Sequence, residues 1–207
     1  MSVGFIRSTS SRVGALALAL GLVGFLGCSG GSGGTLVRTD DGFRITEPSG
    51  SGLGDRARFR EAAASLAEDD LDSAIPAFES AAEALPGHAG PRVNLAIALR
   101  RADRIEEAEQ ALLAAIELHP RHVVAHNELG IVYRRLGRLE EARDSYERAL
   151  ALHDDFHFAH RNLGILCDLF LEDLGCALAH YRRYLEIVPD DAQVAVWVAD
   201  LEQRAAQ

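Results

Sequence analysis

Lysine is absent from this chain of 207 residues: all 21 basic residues are arginine, set against 31 acidic ones for a formal net charge of −10. Without lysine there is no Schiff-base nucleophile and no phosphate loop of the kind that requires one. The acidic excess argues against a nucleic-acid backbone as partner, since phosphates repel it. Cysteine is scarce, at three residues, and none forms a C-x-x-C pair; nor is there an H-E-x-x-H segment. Neither of those zinc signatures is therefore present. No apolar run is long enough to span a bilayer: the longest, Val13 to Gly27, has 15 residues, short of the ~18–20 needed. Glycine is unevenly spread, with 13 of 19 lying before Asp55. The N-terminal quarter is thus compositionally separate from the rest.

That quarter begins with Arg7 and Arg12, continues into the apolar run and ends Phe25-Leu26-Gly27-Cys28. A positive segment, a short apolar stretch and a small residue before a cut mark a cleaved secretion signal. The Leu-Gly-Cys ending resembles the lipobox of bacterial lipoproteins. The resemblance implies a signal peptide over 1–27 and a diacylglyceryl group on Cys28. With Ser29 rather than Asp after that cysteine, similarity to Gram-negative lipoproteins implies an outer-membrane anchor facing the periplasm. Residues 28–54 then form a Gly/Ser-rich linker, expected to behave as a coil about 25–30 Å across. Within it, Leu36-Val37-Arg38 and Phe43-Arg44-Ile45-Thr46 flank Asp41-Gly42, a hairpin signal. Gly30-Gly31-Ser32-Gly33-Gly34 matches the hydrolase pattern G-x-S-x-G, but it has no preceding strand and no following helix, and so lacks a nucleophile elbow.

From Asp55 the chain repeats with a period of 34 residues. Small residues recur at Ala62, Ala96, Gly130 and Gly164, and again at Ala74, Ala108, Ala142 and Ala177. Four places after the second column stand Phe78, Leu112, Tyr146 and Tyr181, and Pro86, Pro120 and Pro189 close their units. Within each unit apolar residues recur at three and four, the stripe of an amphipathic helix. These columns resemble the tetratricopeptide repeat (TPR). The resemblance implies an all-α, right-handed solenoid of about four helix-turn-helix units over 55–207, with 192–205 as a closing helix capped by Asp190 or Asp191. A turn around Leu171–Asp173 is expected to be irregular, because the fourth unit has one extra residue.

Eight histidines raise the question of a metal. His119 and His153, His126 and His160, and His88 and His122 are each 34 apart, so the repeat explains their clustering. Metal sites need three or four convergent ligands, and no metal or cofactor is expected. Cys167 and Cys176 stand at similar distances from the turn of the fourth unit, and two readings stay open: a disulfide in an oxidising compartment, or two small buried thiols. Glu106, Glu107, Glu109, Glu140, Glu141, Asp144 and Glu147 fall in second helices and read as a solvated outer face. No nucleophile, base or phosphate loop emerges, so the chain reads as a non-enzyme with no small-molecule substrate.

In the TPR family the first helices line a groove that takes peptides. By register, the resemblance places Val93, Ile97, Arg100 and Arg101 there, with Val124, Asn127, Ile131, Arg134 and Arg135 from the third unit and Phe158, Arg161, Ile165 and Asp168 from the fourth. An apolar floor with arginines suits a peptide carrying apolar anchors and a carboxylate. The carboxylate clamp of chaperone-binding TPRs is missing, since Phe59 and Ala63 occupy its first-repeat positions. The expected function is a membrane-anchored periplasmic adaptor with a protein or peptide partner, attached to the membrane through its lipid alone. Resemblance to envelope TPR lipoproteins suggests pilotin-like help to secretin or pilus assembly, or accessory service to a TonB/ExbB/ExbD-type complex. A regulator docking peptidoglycan hydrolases and a periplasmic metal binder are the alternatives.

Overall fold

A computed structural model describes residues 36–39, 42–45 and 52–206. The expected signal peptide over 1–27, the lipidated Cys28 and most of the 28–54 linker lie outside the described residues. Inside the linker, β1 (Leu36–Thr39) pairs antiparallel with β2 (Gly42–Ile45), placing Leu36 opposite Ile45 and Thr39 opposite Gly42. The hairpin signal around Gly42 is thus realised.

Nine helices follow among the described residues: α1 (Leu53–Ala67), α2 (Leu71–Ala84), α3 (Ala89–Arg101), α4 (Ile105–Leu118), α5 (Val123–Arg135), α6 (Leu139–Leu152), α7 (His157–Leu169), α8 (Leu174–Ile187) and α9 (Ala192–Ala205). They form four helical hairpins and one closing helix. Each helix packs on its neighbours in sequence, and α1 also touches α3, α3 touches α5 and α5 touches α7. No comparable contact joins α2 to α4, α4 to α6 or α6 to α8 among the described residues. The first helices therefore crowd together on an inner face while the second helices splay outward.

The turns inside the hairpins obey one rule. Asp69, Asp103, Gly137 and Glu172 all adopt positive φ, at 60°, 63°, 74° and 52°, and each reverses the chain between the two helices of its unit. The steps are 34, 34 and 35, so the extra residue of the fourth unit is absorbed just before its turn. There Cys167 and Cys176 form a disulfide with their Cα atoms 5.8 Å apart, within the usual range. It ties α7 to α8 across the one irregular loop. Caps are local too: Asp70 accepts from the Ser73 N–H, Asp173 from that of Cys176, and Asp191 from those of Gln193 and Val194. Each satisfies donors that a helix start leaves unpaired.

Within a unit, inner and outer helices fit small against large. Tyr146 and Tyr181 are almost wholly buried, and their rings lie against Gly130 and Gly164. A Cβ added at Gly130 would sit 2.5 Å from Tyr146 Cε1, and one at Gly164 2.5 Å from Tyr181 Cδ1, distances that real side chains do not tolerate. Where the outer helix brings Phe78 or Leu112 instead, the inner column holds Ala62 or Ala96, all buried in the same core. Gly130→Leu should therefore destabilise the fold by at least ~2 kcal/mol, outweighing the ~1 kcal/mol gained by removing a helical glycine. Gly87→Ala, where nothing lies within 4 Å of the added methyl, should stay within about 0.5 kcal/mol of the parent. Urea unfolding of the two variants compares them directly.

Candidate functional site

Between the inner helices runs a groove of about 490 Å³. Leu66, Ile97, Val124, Ile131, Phe156 and Phe158 give it an apolar lining; Ala63 and Ala67 bring α1 to one wall; Asn94, Asn127, Asn162, Arg101 and Glu128 supply polar groups. Register explains the polar column: Asn94, Glu128 and Asn162 are 34 apart, one turn before Ile97, Ile131 and Ile165. Asn162 Nδ2 donates to Asn127 Oδ1 at 2.9 Å, and Asn94 Nδ2 to the Gly90 carbonyl at 3.2 Å. The groove thus offers aliphatic anchorage beside amides that can pair with a peptide backbone.

Of the residues expected in the groove from sequence, Ile97, Arg101, Val124, Asn127, Ile131 and Phe158 line it. The others go elsewhere. Val93 is wholly buried in the core, because its position turns toward the outer helix rather than the opening. Ile165 packs, partly buried, in the cluster that joins α7, α8 and α9. Arg100 is committed to Glu128 through a 3.0 Å ion pair. Arg135 donates to the Arg100 carbonyl at 2.8 Å and pairs with Asp103 at 2.7 Å. Arg101 makes the same bond one repeat earlier, to the Leu66 carbonyl at 2.8 Å, with Asp69 at 3.6 Å. Arg101 and Arg135 therefore staple the end of one inner helix to the left-handed turn of the preceding unit. Arg134 lies over the Phe170 ring at 5.4 Å and Arg161 over Trp197 at 5.2 Å. Asp168 pairs with Arg204 of α9 at 2.9 Å. The residues that register reading passed over are Asn94, Glu128, Asn162 and Phe156; the step back three places from Ile97, Ile131 and Ile165 finds the first three.

Phe59 is buried and packs edge-on to Phe78 at 5.9 Å, leaving no charge where the chaperone-type clamp begins.

The histidines serve the turns between repeats. His126 Nε2 meets the Pro120 carbonyl at 2.9 Å, and His160 Nε2 meets that of Asp154 at 2.9 Å. Arg92, 34 residues before His126, reaches the Pro86 carbonyl at 3.2 Å in the same way. His122 Nδ1 caps α5 by accepting from the Ala125 N–H at 3.2 Å. His160 Nδ1 lies 3.0 Å from His180 Nδ1; with the Nε2–H of His160 given to the carbonyl, its Nδ1 accepts from His180. Among the described residues no three metal-binding side chains converge.

Comparison with known proteins accords with this architecture. Two family models, each described as a tetratricopeptide repeat, match residues 65–120 and 93–155. A thermophilic TPR protein of Thermus thermophilus is 27% identical, with a TM-score of 0.63 over 72% of this chain and 81% of that one. Pseudomonas aeruginosa pilF shares the fold at 20% identity and a TM-score of 0.68, over 73% of this chain and 69% of its own. The first TPR domain of Spaghetti (RPAP3), solved with the HSP90 peptide SRMEEVD, does so at 20% identity and 0.55, over 57% and 96%. Among curated proteins none matches. Residues 65–155 thus carry tetratricopeptide repeats, a helical scaffold whose members mediate protein–protein interactions.

Burial pushes His122 and His180 down to about 4, with the neighbouring His119 and His160 adding to the shift. Unfolded histidine titrates near 6.5. Between those values the unfolded chain takes up protons that the folded one refuses, so stability is full above pH 6.5 and falls as pH drops toward 4. Urea unfolding should show a loss of up to ~2 kcal/mol per histidine between pH 7 and 5. His122→Asn, which keeps a capping acceptor but cannot titrate, should flatten that slope. An unchanged slope would show that His122 charges freely in the folded state.

Proposed function

We propose that the chain is a lipid-anchored scaffold of the bacterial cell envelope that captures a segment of a partner protein in its inner groove. The observation that carries this reading is the groove itself, an apolar trough with amide groups, open between helices of a fold used for protein contact. Attachment is assigned to a lipid on Cys28. The 15-residue apolar run and the Leu26-Gly27-Cys28 ending support that assignment. Several acyl chains, at ~0.8 kcal/mol per buried CH₂, make such an anchor effectively permanent. The linker then sets reach, and the groove sets choice of partner. Pilotin-like assembly of a secretin or pilus, and service to a TonB/ExbB/ExbD-type complex, are the two narrower roles we favour. Neither requires catalysis, and the chain is read as a non-enzyme.

Two measurements test the proposal. Cys28→Ser should move the protein from the membrane fraction to the soluble envelope fraction; continued membrane association in washed outer membranes would refute the lipid anchor. A photo-reactive residue at Ile131 should crosslink one envelope protein in cells, while the same residue at exposed Glu140 on α6 should not. Identification of the adduct by mass spectrometry names the system: a secretin, a transport complex or a peptidoglycan hydrolase. Equal labelling from both positions would refute the groove.

A further inference from the structure

We propose that the α9 end of the inner face receives an acidic segment of the captured peptide, held by Arg134 and Arg161. The inference rests on the reading of the groove as a peptide site, and it assigns polarity to that site.

Among the described residues, Arg134 and Arg161 have no carboxylate partner, although both stand on the inner helices of an acidic chain. Each guanidinium is held against an aromatic face, Arg134 over Phe170 at 5.4 Å and Arg161 over Trp197 at 5.2 Å. Stacking fixes the plane of an arginine and leaves its N–H edge for a planar anion. Arg134 also stands beside the hydroxyl of the wholly buried Tyr146, with which its guanidinium interacts.

The carboxylates nearby are already occupied. Glu128 is held by Arg100 at 3.0 Å and Asp168 by Arg204 at 2.9 Å. Asp191 accepts the Tyr184 hydroxyl at 2.8 Å and caps α9, and it lies within the field of Arg161 without forming an ion pair with it. Arg134 and Arg161 also act on one shared point: the fields of both reach the Tyr181 hydroxyl, where that of Asp168 opposes them. Arg161 adjoins Asn162, which lines the groove. A peptide with aliphatic anchors against Ile97 and Ile131 therefore continues toward two uncommitted cations. On a chain of net charge −10 that local attraction orients an acidic ligand, since the surrounding surface repels it.

The test is selection from a randomised 12-residue peptide display library on the full-length protein in detergent micelles. Enrichment of sequences with two or three aliphatic residues followed or preceded by Asp or Glu is expected. A synthetic peptide of the enriched sequence should bind the Arg134→Gln/Arg161→Gln variant at least ~10-fold more weakly, because charge-assisted hydrogen bonds are lost. The salt dependence of binding should weaken with it. Ile131→Asp should abolish binding of every selected peptide. Because the glutamine variants also lose their stacking, Arg161→Glu is paired with a peptide whose acidic residues are replaced by Lys, and binding should return. Enrichment of aliphatic residues without acidic ones, or full affinity in the double variant, overturns the acidic assignment while leaving the groove. Failure of the parent protein to enrich any peptide overturns both.

Discussion

The fold depends on backbone approach between the two helices of a repeat. Tyr146 and Tyr181 fill the space beside Gly130 and Gly164 so closely that a single methyl would collide with the ring. A helix pair of this kind cannot bury its stripe alone, so each unit requires a neighbour and stability is shared along the stack. The glycines cost helix propensity, about 1 kcal/mol each, and the buried tyrosine rings offset that loss. In the first two units the same contact is made with Ala62 or Ala96 against Phe78 or Leu112, a smaller outer residue allowing a larger inner one.

Stacking of one unit on the next uses a second device. Arg101 and Arg135 each reach back across about one period, to the carbonyls of Leu66 and Arg100 and to the left-handed Asp69 and Asp103. These bonds add a second donor to carbonyls that already accept from the Asp69 and Asp103 N–H groups at the helix ends. At the next junction the pattern lapses on both sides, with Leu169 where the arginine belongs and Gly137 where the aspartate belongs. Leu169 is accordingly 67% exposed, and the adjacent loop is tied instead by the Cys167–Cys176 disulfide. In the closing helix Arg204 pairs instead with the Asp168 side chain on α7.

Function follows from which inner-face groups these structural duties leave over. Once Arg100, Arg101, Arg135 and Arg204 are engaged, the groove is chiefly apolar with a row of amides, and among the described residues Arg134 and Arg161, stacked on Phe170 and Trp197, have no carboxylate ion pair. Of the eight histidines, His122, His126 and His160 serve the inter-repeat turns. His126 and His160 hold the same carbonyl that Arg92 holds one unit earlier. Their 34-residue spacing was visible in the sequence; the acceptor they share was not.

The sequence by itself determined the repeat, the pairing of helices, the choice of Asp190 or Asp191 as cap of α9 and the small-to-large columns, because each arises within about 34 residues of chain. It also placed Ile97, Val124, Asn127, Ile131 and Phe158 on the groove. Only the tertiary structure decided which arginines are free, that Val93 is buried and that Asn94, Glu128 and Asn162 join the lining. The physical reason lies in where the partners come from. Glu128 is 28 residues from Arg100, the Leu66 carbonyl 35 from Arg101, Asp103 32 from Arg135 and Asp168 36 from Arg204. A charge at a helix end reads the same in sequence whether it meets water, a ligand or the next repeat, and the stacking of the repeats makes that choice.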